Sequence, residues 1–131
     1  NMSIFKGPEI VVENLNAEQL YNKLSNLNNL RKIMPPQIED FESDTNNCSF
    51  KMKGMPKLKL FLAEKTPFSK IKLSATDSPV AFSLNCFITD CSEKCQARLE
   101  VDAELNMMMK MMVEKPITNF LNVLSDKLRT L

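Results

Sequence analysis

Chemistry needs nucleophiles, proton carriers, metal ligands or placed charge, and this sequence of 131 residues offers few of them. It contains no histidine. That excludes a Ser-His-Asp triad, a Cys-His dyad, histidine-ligated zinc and a histidine pH switch. With only 2 glycines there is no Gly-rich loop to cradle phosphate. The proton carriers worth naming are Tyr21, the only tyrosine, and the carboxylates Asp40 and Glu64. A general acid must sit within hydrogen-bond reach of substrate with a matched pKa. These three form no convincing pair, so no catalytic residue is assigned.

The four cysteines are Cys48, Cys86, Cys91 and Cys95. Their C-x4-C-x3-C spacing does not match a zinc site, and no metal or cofactor is expected. Cys91 and Cys95 flank a turn over SEK, where facing residues would approach disulfide distance. Cys86 is expected inside and inert. No basic segment followed by an apolar stretch opens the chain, so no export signal is expected. Reduced thiols in the cytoplasm are then the default.

Two clusters remain. The block MMMKMM at 107–112 places Met109 and Met112 on a buried helical stripe and leaves Met107, Met108 and Met111 off it. Thioethers bind soft Cu(I), but such a site gathers further ligands that are missing here. The block reads instead as partial burial against loops, an adaptable cavity mouth, or a partner surface serving a homodimer. The lysines Lys51, Lys53, Lys57, Lys59, Lys70 and Lys72 fall on the outer face of strands. They read as a solvated, edge-protecting face or as a patch that steers an anionic head group. Lys plus Arg is 17 and Asp plus Glu is 16, a balance that argues against nucleic acid. No apolar run reaches the roughly 20 residues a bilayer requires, so no stable membrane insertion is expected.

The elements that must position these groups follow from periodicity. Residues 3–12 read as an irregular first strand broken at Gly7-Pro8. Asn16 and Gln19 form a capping box for a short helix with Leu20, Tyr21, Leu24 and Leu27 on one side. A second short helix, capped by Asn28 or Asn29, carries Leu30, Ile33 and Met34 and ends at Pro35-Pro36. The period then becomes two. Strands are expected over 47–53, 57–65, 68–75, 80–89 and 96–105. The last is the clearest, with Ala97, Leu99, Val101, Ala103 and Leu105 alternating with Gln96, Arg98, Glu100, Asp102 and Glu104. Strict alternation means antiparallel strands with one dry face, and short loops make them neighbours in a meander. From 109 to 128 the helical period returns as one apolar stripe, interrupted by Pro116. Pro116 either starts a new helix or kinks a long one.

One antiparallel sheet with one dry face must cover that face, and the C-terminal helix carries the matching stripe. The segments CSFKMKGM (48–55), EKTPFSKIKL (64–73), LNMMMKMMVEKP (105–116) and ITNFLNVLSDKL (117–128), with the helix pair in 18–36, resemble small bacterial START-like proteins. These belong to the polyketide cyclase/dehydrase and lipid-transport (SRPBCC) superfamily. The resemblance covers the whole chain as a single domain, 1–131. It implies an α+β helix-grip fold, in which a curved antiparallel sheet wraps a long C-terminal helix and two short helices follow strand 1.

The expected function is binding or transport of a small hydrophobic ligand, lipid-like or polycyclic, between sheet and helix. The expected lining is Met52, Leu60, Ile71, Leu73, Phe82, Leu84, Leu99 and Val101 from the strands, Met112, Phe120 and Leu124 from the helix, and Tyr21. The same positions also suit a filled core. The alternatives are a cyclase- or dehydratase-like enzyme using the same cavity, with Tyr21, Asp40 or Glu64 inside it, and a protein-interaction module using the outer methionines.

Overall fold

The computed structural model describes residues 2–131. Its first strand is split as the sequence implies, into β1 (Met2–Lys6) and β2 (Ile10–Val12). Both pair antiparallel with the same later strand. The break falls at Gly7, whose N–H still donates to the Leu99 carbonyl at 2.7 Å.

Helix α1 (Ala17–Leu24) opens on the expected capping box. Asn16 Oδ1 accepts from the Gln19 N–H, and Gln19 Oε1 accepts from the Asn16 N–H, both at 2.9 Å. The Ala17 N–H is taken up at 3.0 Å by Asp90 Oδ1, from a strand distant in sequence. The second short helix is a 3-10 helix over Leu27–Ile33. Its buried residues Leu27, Leu30 and Ile33 recur every third position, which is the 3-10 period. Its cap is Asn26 rather than Asn28 or Asn29, the Asn26 side chain accepting from the Asn28 N–H at 3.1 Å. Met34 is extended ahead of Pro35 and ends the helix.

Six strands follow as a meander: β3 (Ile38–Ser43), β4 (Asn47–Met52), β5 (Lys57–Thr66), β6 (Lys70–Ala75), β7 (Phe82–Cys91) and β8 (Lys94–Glu104). The sheet order is β1-β8-β7-β6-β5-β4-β3, with β2 also on β8. Strand β3 is not expected from the sequence. Its pairing with β4 shifts register between Glu39 and Glu42, and Asp40 inside that bulge has φ 54°. A bulge destroys the two-residue period on which strand recognition depends. At the β4–β5 turn Gly54 has φ 81°, a conformation that favours glycine.

Helix α2 (Met107–Leu128) is continuous through Pro116. Asn106 caps it by accepting from the Met109 N–H at 2.8 Å. The helix lies on the dry side of the sheet, against β1, β2 and β8 and the 3-10 helix. Helix α1 covers β6, β7 and β8 on that side. Inward residues of β8, from Cys95 through Ala97, Leu99 and Val101 to Ala103, are all buried. The outer face departs from a uniformly wet one. Ser83, Asn85 and Glu100 are buried there, and Arg98 Nε binds Glu100 Oε2 at 2.7 Å while its guanidinium stacks over Phe87.

Candidate functional site

The dry face of the sheet is divided between two environments. Under α1, the 3-10 helix and the last turns of α2, side chains fill the interior and leave a void of about 40 Å³. Ile71, Leu73, Leu99 and Leu124 lie around that void, so these four expected ligand contacts sit in packed core. Leu84 reaches both environments.

Beneath the first half of α2 there is a cavity of about 330 Å³. Met52, Leu60, Phe82, Leu84, Val101 and Phe120 line it, six of the positions named from the sequence. Phe50 stacks between Phe41 and Phe120, with centroid distances of 6.3 and 6.0 Å, and both Phe50 and Phe120 present their rings to the cavity. The helix contributes Met109, Val113 and Ile117, which are half-buried at four-residue steps. These three, with Ala103 and Leu105, extend the lining beyond the contacts expected from the sequence, although the same alternation and stripe mark them as inward.

Met112 differs from the sequence expectation. It is 71% exposed and lies along an outer groove instead of the buried stripe. Tyr21 is buried, its ring edge-on to Phe68 at 5.4 Å, and it does not line the cavity. Asp40 is exposed in the β3 bulge, and Glu64 is exposed and paired with Lys70 at 3.6 Å. The three proton carriers therefore do not converge. Polar lining comes from Lys57 and Lys59 of β5, two of the lysines singled out in the sequence, and from a segment with no sequence signal, the β6–β7 loop with Thr76, Asp77 and Ser78. Asp77 is the single carboxylate among the lining residues, and Lys59 pairs with it at 3.8 Å.

The cysteines do not gather. Cys91 pairs with Lys94 and Cys95 with Asp90 across the hairpin, which puts the two sulfurs on opposite faces. All four thiols are free. Burial pushes the Cys86 thiol up to about 12 and that of Cys95 to about 11, so neither ionises near neutral pH.

No family model and no curated protein matches the chain. Solved structures do. Norcoclaurine synthase from Thalictrum flavum, in complex with dopamine and hydroxybenzaldehyde, aligns over 98% of this chain and 85% of its own at TM-score 0.74 and 12% identity. A conserved protein from Geobacillus kaustophilus aligns over 97% of this chain and 93% of its own, at TM-score 0.66 and 14% identity. An uncharacterised Bacillus thuringiensis protein aligns over 98% of both chains, at TM-score 0.64 and 11% identity. The fold is helix-grip. At these identities the likeness is one of fold alone.

Proposed function

We propose that this protein binds and carries a small apolar molecule in the cavity between the sheet and the first half of α2. It would act as one START-like domain, in the manner of the lipid-transport branch of the superfamily. The observation that carries the reading is the cavity itself, about 330 Å³ within walls of Phe, Leu, Val and Met. That volume falls at the lower end of the ~300–1,000 Å³ typical of ligand sites. Such sites pair apolar walls with a few placed polar groups, and Thr76, Asp77 and Ser78 supply them at one side. The ligand is therefore compact and mainly apolar, with one polar end. Burial drives its entry, at about 25 cal/mol per Å² before the costs of association. The free thiols favour a cytoplasmic setting.

A cyclase- or dehydratase-like activity has less support. It needs an acid–base pair, and the cavity lining holds one carboxylate, already paired with Lys59.

The test is titration with the uncharged fluorophore N-phenyl-1-naphthylamine, alongside native mass spectrometry of protein purified from its own host. Saturable fluorescence enhancement is expected. Ala103→Phe fills the floor of the cavity and should weaken the probe by about tenfold or more. Val113→Phe, at a half-buried helix position that tolerates bulk, should do the same if Ala103→Phe disturbs folding. No binding by the parent protein, or undiminished binding by the folded variants, overturns the reading.

A further inference from the structure

Of the eight large apolar side chains that are exposed among the described residues, four lie in the first turns of α2. They are Met107, Met108, Met111 and Met112, at 79, 73, 76 and 71% exposure. The carrier reading does not use them. An open groove of about 720 Å³ runs between this end of the helix and the β4–β5 turn, with Met112, Lys115, Lys53 and Gly54 along it. It shares Met52, Met55, Pro56, Met109 and Val113 with the cavity, so Met112 stands at the cavity mouth, while Met107, Met108 and Met111 are exposed on the adjoining turns of the same helix end.

Both sides of the mouth carry more lysine than acid. The turn segment KMKGMPKLK (51–59) contains four lysines and no acid. The helix segment 107–119 contains Lys110 and Lys115 against Glu114. Lys57 and Lys59 are offset by Glu42 and Asp77, but Lys51, Lys53, Lys110 and Lys115 make no ion pair among the described residues.

We infer that this rim docks on an anionic lipid surface. A bilayer supplies both complements at once, an apolar interior for the thioethers and phosphates for the lysines. A second copy of the chain would cover the methionines but would bring the like charges together. The attachment is peripheral, since no described helix is long and apolar enough to cross a membrane. Ligand exchange between bilayer and cavity rests on the carrier reading, whereas docking itself does not.

The test is co-sedimentation with vesicles of phosphatidylcholine alone and of phosphatidylcholine with about 30 mol% phosphatidylglycerol. Binding to the mixed vesicles alone is expected, falling as salt is raised. Lys53→Gln, Lys110→Gln and Lys115→Gln together should weaken it about a hundredfold, because each lysine near an anionic leaflet contributes about a factor of five. Met108→Gln, Met111→Gln and Met112→Gln together should weaken it about tenfold. All six positions are exposed, so folding is spared. Failure to bind mixed vesicles, equal binding to both vesicles, unchanged binding by the variants, or a methionine-dependent dimer in sedimentation equilibrium overturns the inference. The naphthylamine titration is independent. Normal probe binding without vesicle binding removes the docking and leaves the carrier, and the reverse result removes the carrier and leaves the docking.

Discussion

The two halves of α2 share one helix and one apolar stripe, yet they meet different surroundings. From Phe120 onward the helix is packed, with Phe120, Leu121, Leu124, Ser125 and Leu128 buried against the sheet. Before Phe120 nothing in the helix is buried, and only Met109, Val113 and Ile117 turn partly inward. Pro116 lies just before the change and has no N–H to offer the Met112 carbonyl. The sheet beneath is equally apolar in both places. What differs is whether a second layer reaches it. Where α1 and the 3-10 helix join α2, the interior closes to a void of about 40 Å³, and where α2 stands alone it stays open at about 330 Å³. A binding site here is a region of core left unfinished by its neighbours.

That contrast has an energetic signature. Leu128 is fully buried in the packed half, and Leu128→Ala should cost about 2–5 kcal/mol of unfolding free energy. Val113 faces a space that is already open, so Val113→Ala creates no new cavity and should cost under about 1 kcal/mol. Chemical denaturation of the two variants measures the difference. Similar costs would mean that the first half of the helix is packed in solution, and the cavity would then close with it.

A thiol reports how dry the packed half stays. Cys86 lies beside the small void with Leu124 and Leu128, and burial raises its pKa from the ordinary 9.0 to about 12. The folded protein therefore holds this proton at pH values where the unfolded chain has lost it. Stability from this source is complete below pH 9.0 and declines as pH rises toward about 12. The slope is about 1.4 kcal/mol per pH unit for one thiol. Cys86→Ala should flatten that decline in denaturation curves taken between pH 9.0 and 11, although Cys48 and Cys95, both raised to about 11, add slopes of their own. An unchanged slope would show that water reaches the void and that the two halves are less distinct than their packing suggests.

The same comparison shows what the sequence carries and what it omits. Strict alternation in β8 reads directly as an inward face, and Asn16 with Gln19 reads directly as a capping box, because both are local patterns. Alternation says which side chains turn inward but not what they meet there. Ile71 and Val101 look alike in sequence, yet one lies in filled core and the other at the cavity, a division made by distant helices. Counting steps of three and four puts Met112 on the stripe, but the structure exposes it. At 3.6 residues per turn it lies roughly 120° round the helix from Leu124, which agrees with its exposure. Strand β3 and the Thr76–Ser78 loop carry no periodic signal, the first because of its bulge and the second because it is a loop.

A small effect of opposite sign is expected where the packed half meets the break between β1 and β2. Ser125 is fully buried and its hydroxyl has no hydrogen-bond partner among the described residues. Ser125→Ala removes that unsatisfied group and improves helix propensity, so it should stabilise the fold by about 1 kcal/mol. The neighbour that allows the approach is Gly7. A Cβ there would sit 3.0 Å from Ser125 Oγ and 3.1 Å from the Leu99 carbonyl oxygen. Gly7→Ala should therefore destabilise, and by less in the Ser125→Ala background, where one of the two close contacts is gone. The Leu99 carbonyl belongs to β8 and cannot be removed, so part of the cost must remain. A double-mutant cycle isolates the coupling between the two positions. Strict additivity would mean that helix and strand are not held against each other at this point, and the contrast between the two halves of α2 would lose its anchor.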